Sequence, residues 1–152
     1  MAYTPVKADR IVKDGETVSL GGTTLTAHLT PGHTKGATTW TMPLNTGGKT
    51  YHVLFFSSTS LVAPTTLLHN QDYPAIVEDY EATFKKLKSL PCEIFLAPHA
   101  EQFGLAEKLK QLDSGASPNP FIDPDGWKNF LANSEQIFRH QLAAEKSAEL
   151  NH

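Results

Sequence analysis

Hydrophobic and polar positions alternate through the first part of the chain and then change period. "ETVSLGG" alternates and turns at Gly21-Gly22, "TTLTAHLT" alternates again, and "ATTWTMP" is rich in β-formers. "LNTGGKT" reads as a hairpin connection, and the more continuously apolar "YHVLFFSS" predicts a strand buried on both faces. In "YPAIVEDYEATFKKLKSL" the apolar residues Ile76, Val77, Tyr80, Phe84 and Leu87 make the one-sided stripe of an amphipathic helix. "CEIFLAP" is a short buried strand ending at Pro98-His99, and "AEKLKQL" is a short helix. "SPNPFIDPDG" is a proline-broken loop in which Asp123 or Asp125 can cap the final helix. That helix starts near Gly126, with Trp127, Phe130, Leu131, Ile137, Phe138 and Leu142 on its apolar face. Strands first, then helices, with one strand returning after a helix, predict an α/β fold: a mixed sheet covered by helices on one face.

Composition narrows this picture. The 152 residues suit a single domain, 1–152, with 39% hydrophobic and 19% charged residues. A net charge of −3 argues against a nucleic-acid groove, and the lysines of "FKKLKSL" read as a solvated helix face. There is no apolar run long enough for a membrane span. "MAYTPVKADR" lacks the apolar core of a signal peptide, so the chain as given is expected to be cytoplasmic, and a longer parent to be exported (periplasmic). Cys92 stands alone in "LPCEIFLAP" and reads as a small buried hydrophobe.

Two of the seven histidines stand apart. His33 follows Pro31-Gly32 directly after a strand, where proline fixes φ and glycine permits a tight turn. His99 follows Pro98 at the end of another apolar strand. Histidines at two strand ends, each pinned by a proline, can meet at one edge of the sheet, and imidazole is a common zinc ligand. Each is equally readable as an ordinary polar loop residue. His28 and His52 sit on strands and should face solvent or a hydrogen bond, His69 lies in a loop, His140 on an outer helix face and His152 at the tail. A catalytic zinc generally takes three protein ligands and an open position. The chain has no H-x-H, H-E-x-x-H or C-x-x-C, so it carries part of a metal site.

"LTPGHTKGATTWTM", "VLFFSSTS", "YPAIVEDYEATFKKLKSLPCEIFLAPH" and "PNPFIDPDGW" together resemble the second half of a class B metallo-β-lactamase of the third subclass. "PGHTxG" alone recurs across the wider superfamily, whereas its combination with the tyrosine-bearing helix, "APH" and "NPFIDP" is specific. The resemblance runs from about Tyr3 to the last helix and implies half of an αββα sandwich. In that family two zinc ions at the sandwich edge hydrolyse β-lactam amides. The resemblance makes His33 a ligand of the first zinc and His99 a ligand of the second. It places Ser58 where other subclasses have a cysteine ligand, with Ser57 one register away, and gives Ser60 a hold on the substrate carboxylate. The serines are also readable as residues that satisfy local backbone groups.

The family's H-x-H-x-D-H motif, which lies in the first half of its fold, does not occur here. The chain is therefore expected to be inactive alone, and to pair with a complementary N-terminal half or self-associate through an exposed sheet face. Two other readings stay open: a non-catalytic half-domain that acts as a dimerising or interaction module, and another hydrolase of the superfamily such as a lactonase or thioesterase.

Overall fold

The computed structural model describes residue 4 and residues 6–150; His152 and Tyr3 lie outside the described residues. Five strands form one sheet in sequence order: β1 (Thr17–Leu20), β2 (Thr23–Leu29), β3 (Thr38–Thr46), β4 (Lys49–Phe55) and β5 (Ile94–Leu96). The first four pair antiparallel, and β5 joins β4 parallel after the helix α1 (Ile76–Ser89), so the sheet is mixed. A 3-10 turn at Ala100–Phe103, α2 (Leu105–Asp113) and the long α3 (Pro124–Leu150) complete the chain.

The helices cover one face of the sheet. Alternation sends Leu54, Phe56 and Phe95 to that side, where they meet Ile76, Tyr80, Phe84 and Leu87 of α1 and Trp127, Leu131, Phe138 and Leu142 of α3. Phe138 stacks on Tyr80 at 5.1 Å, and Trp127 lies 4.9 Å from Phe95. These aromatic contacts join both helices to the sheet. Cys92 is buried in this core, and burial pushes its thiol up to about 12, as suits a packing residue.

The loop "NPFIDP" does more than connect. Ile122 bridges Ile94 antiparallel, and the Asp123 amide donates to the Glu93 carbonyl at 2.8 Å, which closes the outer edge of β5. Asp123 then caps α3 by accepting the Gly126 amide at 2.8 Å, so the helix starts at Pro124, two residues earlier than its apolar stripe indicates.

Three expectations need correction. Ile137 is 55% exposed and lies off the buried face of α3, because it projects about 100° around the axis from Phe138, outside the stripe of Trp127, Leu131, Phe138 and Leu142. β4 is buried on both faces only at Val53 and Leu54: Phe55, on the side of Val53, is 36% exposed. Lys86 is not simply solvated; its ammonium binds Asp14 and the Leu29 carbonyl, each at 2.8 Å.

The second face of the sheet carries Leu20, Leu25, Trp40, Met42, Leu44 and Phe55, which the strand registers place side by side or diagonally. Leu20 is 85% exposed. The accessible surface of 10213 Å² exceeds the roughly 7,600 Å² expected of a compact monomer of this mass. Part of that excess is this bare apolar face.

Candidate metal centre

The β2–β3 loop is built so that one imidazole stands on a fixed mount. Thr30 is buried, and its hydroxyl pairs with that of Thr39 at 3.0 Å. The Pro31 carbonyl accepts the Thr83 hydroxyl at 2.6 Å. Gly32 has φ +139°, and a Cβ there would lie 2.9 Å from the Tyr80 ring, so only glycine lets loop and helix approach this closely. His33 comes next, and its Nδ1 lies 2.7 Å from the Ser60 carbonyl. A carbonyl only accepts, so Nδ1 carries the proton and Nε2 keeps its lone pair for a ligand. The Tyr80 hydroxyl donates to the same carbonyl at 3.1 Å, and burial pushes its pKa up to about 12, which keeps it a donor at neutral pH.

The topology collects the predicted residues at one end of the sheet. β2 runs into the His33 loop, β4 runs into Ser57, Ser58 and Ser60, and β5, parallel to β4, runs toward His99. The Ser57 amide reaches the Thr39 hydroxyl at 3.4 Å, and the Ser58 hydroxyl accepts the Ser60 amide at 3.1 Å. His33, Ser60 and His99 are exposed. The His99 carbonyl accepts the Gln102 amide at 3.1 Å at the start of the 3-10 turn. Beside His33 lies an open cavity of about 420 Å³ lined also by Thr65, Thr66, His69, Asp72 and Tyr73.

Other histidines have structural partners. His28 Nε2 pairs with the Thr41 hydroxyl at 2.8 Å, and burial lowers its pKa. His52 Nδ1 pairs with Glu93 at 2.9 Å and His69 with Glu149 at 2.5 Å; His140 is exposed on α3.

Imidazole suits zinc, and an Nδ1–H bound to a backbone carbonyl is the usual support of a ligating histidine. Yet among the described residues no group of three or more His, Cys, Asp or Glu side chains is placed to hold a metal ion. The residues fit zinc as a partial ligand set and not as a closed site. The supports of His33 escaped sequence reading: Tyr80 looked like one more core residue of an apolar stripe, and the Thr39 and Thr83 hydroxyls carried no signal of their own.

The fold thus combines a mixed sheet, helices on one face and an oriented imidazole at the strand ends. No protein-family model matches the chain. Solved structures do. The native FEZ-1 metallo-β-lactamase from Legionella gormanii is 44% identical with a TM-score of 0.91, over 95% of this chain and 55% of its own. BJP-1, a subclass B3 enzyme of Bradyrhizobium japonicum, is 43% identical with a TM-score of 0.86, over 97% of this chain and 55% of its own. A metallo-β-lactamase from Cronobacter sakazakii is 37% identical with a TM-score of 0.83, over 93% of this chain and 53% of its own. The chain is similar to metallo-β-lactamases, BJP-1 of subclass B3 among them, and spans about half the length of these relatives.

Proposed function

We propose that this chain is the half of a zinc-dependent β-lactam hydrolase that contributes His33 to one metal site and His99 to the other, and that it has no β-lactamase activity by itself. The observation that carries the reading is the His33 mount, which leaves Nε2 free at the strand ends. Zinc held there with further ligands would supply Lewis acidity toward the lactam carbonyl. This chain's own part is to orient the imidazoles and to offer the hydroxyls of Ser58 and Ser60 to a substrate carboxylate. The remaining ligands, of the family's H-x-H-x-D-H type, come from a complementary polypeptide seated on the bare sheet face. That face, bordered by the same strands that end at His33, supports this partner.

The test is hydrolysis of a chromogenic β-lactam with added zinc, by the chain alone and together with a polypeptide that carries the H-x-H-x-D-H half of a subclass B3 enzyme. The expected result is turnover only in the mixture, abolished by a chelator and by His33→Ala. Rapid turnover by the chain alone, or restored turnover indifferent to His33→Ala, would overturn the reading. The bare face also favours a second reading, an interaction module without catalysis, for which the mixture would form a stable complex with no turnover. The solved structures named above are all β-lactamases, which supports β-lactams over lactones or thioesters as the substrate class.

A further inference from the structure

We propose that Tyr80 is the positioning residue of His33: through the Ser60 carbonyl that it shares with Nδ1, it fixes the tautomer of the imidazole and the direction of Nε2. The inference rests on the reading of His33 as a metal ligand, and its test does not require that this chain bind metal unaided.

Packing alone does not call for a hydroxyl at this position. Tyr80 is 1% exposed, stacked with Phe138 at 5.1 Å and with Phe84 at 6.1 Å, and phenylalanine would fill the same stripe. A phenol buried there must find a hydrogen-bond partner, and it finds the Ser60 carbonyl at 3.1 Å. That carbonyl belongs to an exposed loop residue whose peptide plane would otherwise be free to turn. It is held instead by two donors, and the peptide before it by a third contact. The Ser58 hydroxyl takes the Ser60 amide, while Tyr80 and His33 together occupy both lone pairs of its oxygen.

The same ring presses on Gly32, the residue before the imidazole. One rigid side chain therefore sets both the backbone that carries His33 and the acceptor that orients it. Thr83 and Lys86, three and six residues further along α1, hold the Pro31 and Leu29 carbonyls at 2.6 and 2.8 Å. The helix grips the loop at three successive points, and only the Tyr80 contact reaches the imidazole's own partner.

The experiment uses the metal-free chain with nitrogen-15-labelled histidine, in mildly alkaline buffer, comparing wild type with Tyr80→Phe. Two-bond proton–nitrogen correlations report which ring nitrogen is protonated, and His33→Gln assigns the signals. Wild-type His33 should be almost wholly Nδ1–H, and Tyr80→Phe should shift it toward the tautomer mixture of a free imidazole. Urea unfolding of Tyr80→Phe, which keeps the ring, should remain cooperative, showing that the shift is local. Zinc affinity, measured by calorimetry on the complemented protein, should fall by about tenfold or more. An unchanged tautomer in folded Tyr80→Phe, or a wild-type His33 protonated on Nε2, would overturn the proposal. Should the complemented protein bind no zinc while the tautomer still shifts, the ligand reading fails and the positioning role stands.

Discussion

At the residue scale, the site depends on groups that touch the mount of His33 and not on His33 alone. Gly32 is the sharpest example. Alanine there would meet the Tyr80 ring at 2.9 Å and would have to adopt φ +139°. Gly32→Ala should therefore lose about 2 kcal/mol or more in urea unfolding. The Thr30–Thr39 hydroxyl pair makes a second test. Thr30→Val keeps the shape but removes one partner of a buried bond, and should cost about 1–3 kcal/mol. A loss well below that range would mean that water replaces the missing hydroxyl.

At the scale of elements, the helix ends and their anchors carry the stability that propensity does not. Alanine is normally the better helix former, yet a Cβ at Gly126 would lie 2.2 Å from the Asp123 carboxylate that caps α3. Gly126→Ala should thus destabilise by about 1 kcal/mol, the usual value of a lost cap, where propensity alone predicts a gain of similar size. Further along α3, the Glu145 carboxylate accepts the Leu67 and Leu68 amides at 2.8 and 2.7 Å and holds the loop that lines the cavity beside His33. Burial raises its pKa, but the bonds from Leu68, Gln141 and Leu67 outweigh burial and hold it below the usual value. A lowered folded-state pKa stabilises fully above the unfolded value and is lost as pH falls through the folded one. Glu145→Gln should be less stable than wild type by about 1–2 kcal/mol at neutral pH. That gap should close in acid, as chemical denaturation at a series of pH values will check; a gap independent of pH would contradict the assignment.

For the whole molecule, the governing feature is a sheet with one covered face. Its bare side exposes Leu20, Leu44 and Phe55, with Trp40 and Met42 half-buried among them, and surfaces of that kind associate. Light scattering of the chain alone should show concentration-dependent association that Phe55→Lys reduces. A monodisperse monomer at high concentration would count against both the complementary partner and self-association. No described helix is long and apolar enough to cross a membrane.

Local pattern was enough to determine the strands, both long helices and the placement of His33 and His99 at strand ends, and to narrow the cap of α3 to Asp123 or Asp125. These rest on periods of two and 3.6 and on turn chemistry, which act over a few residues. The tertiary structure alone decided what the imidazole is fastened to. Ser60 lies 27 residues from His33 and 20 from Tyr80, and neither separation leaves a periodic trace. It decided equally that Ile137 faces out, that Lys86 clamps a carbonyl, and that the alternating strands have a neighbour on only one side. Alternation states that a strand has an apolar face, but only the packing of distant elements determines whether anything covers it.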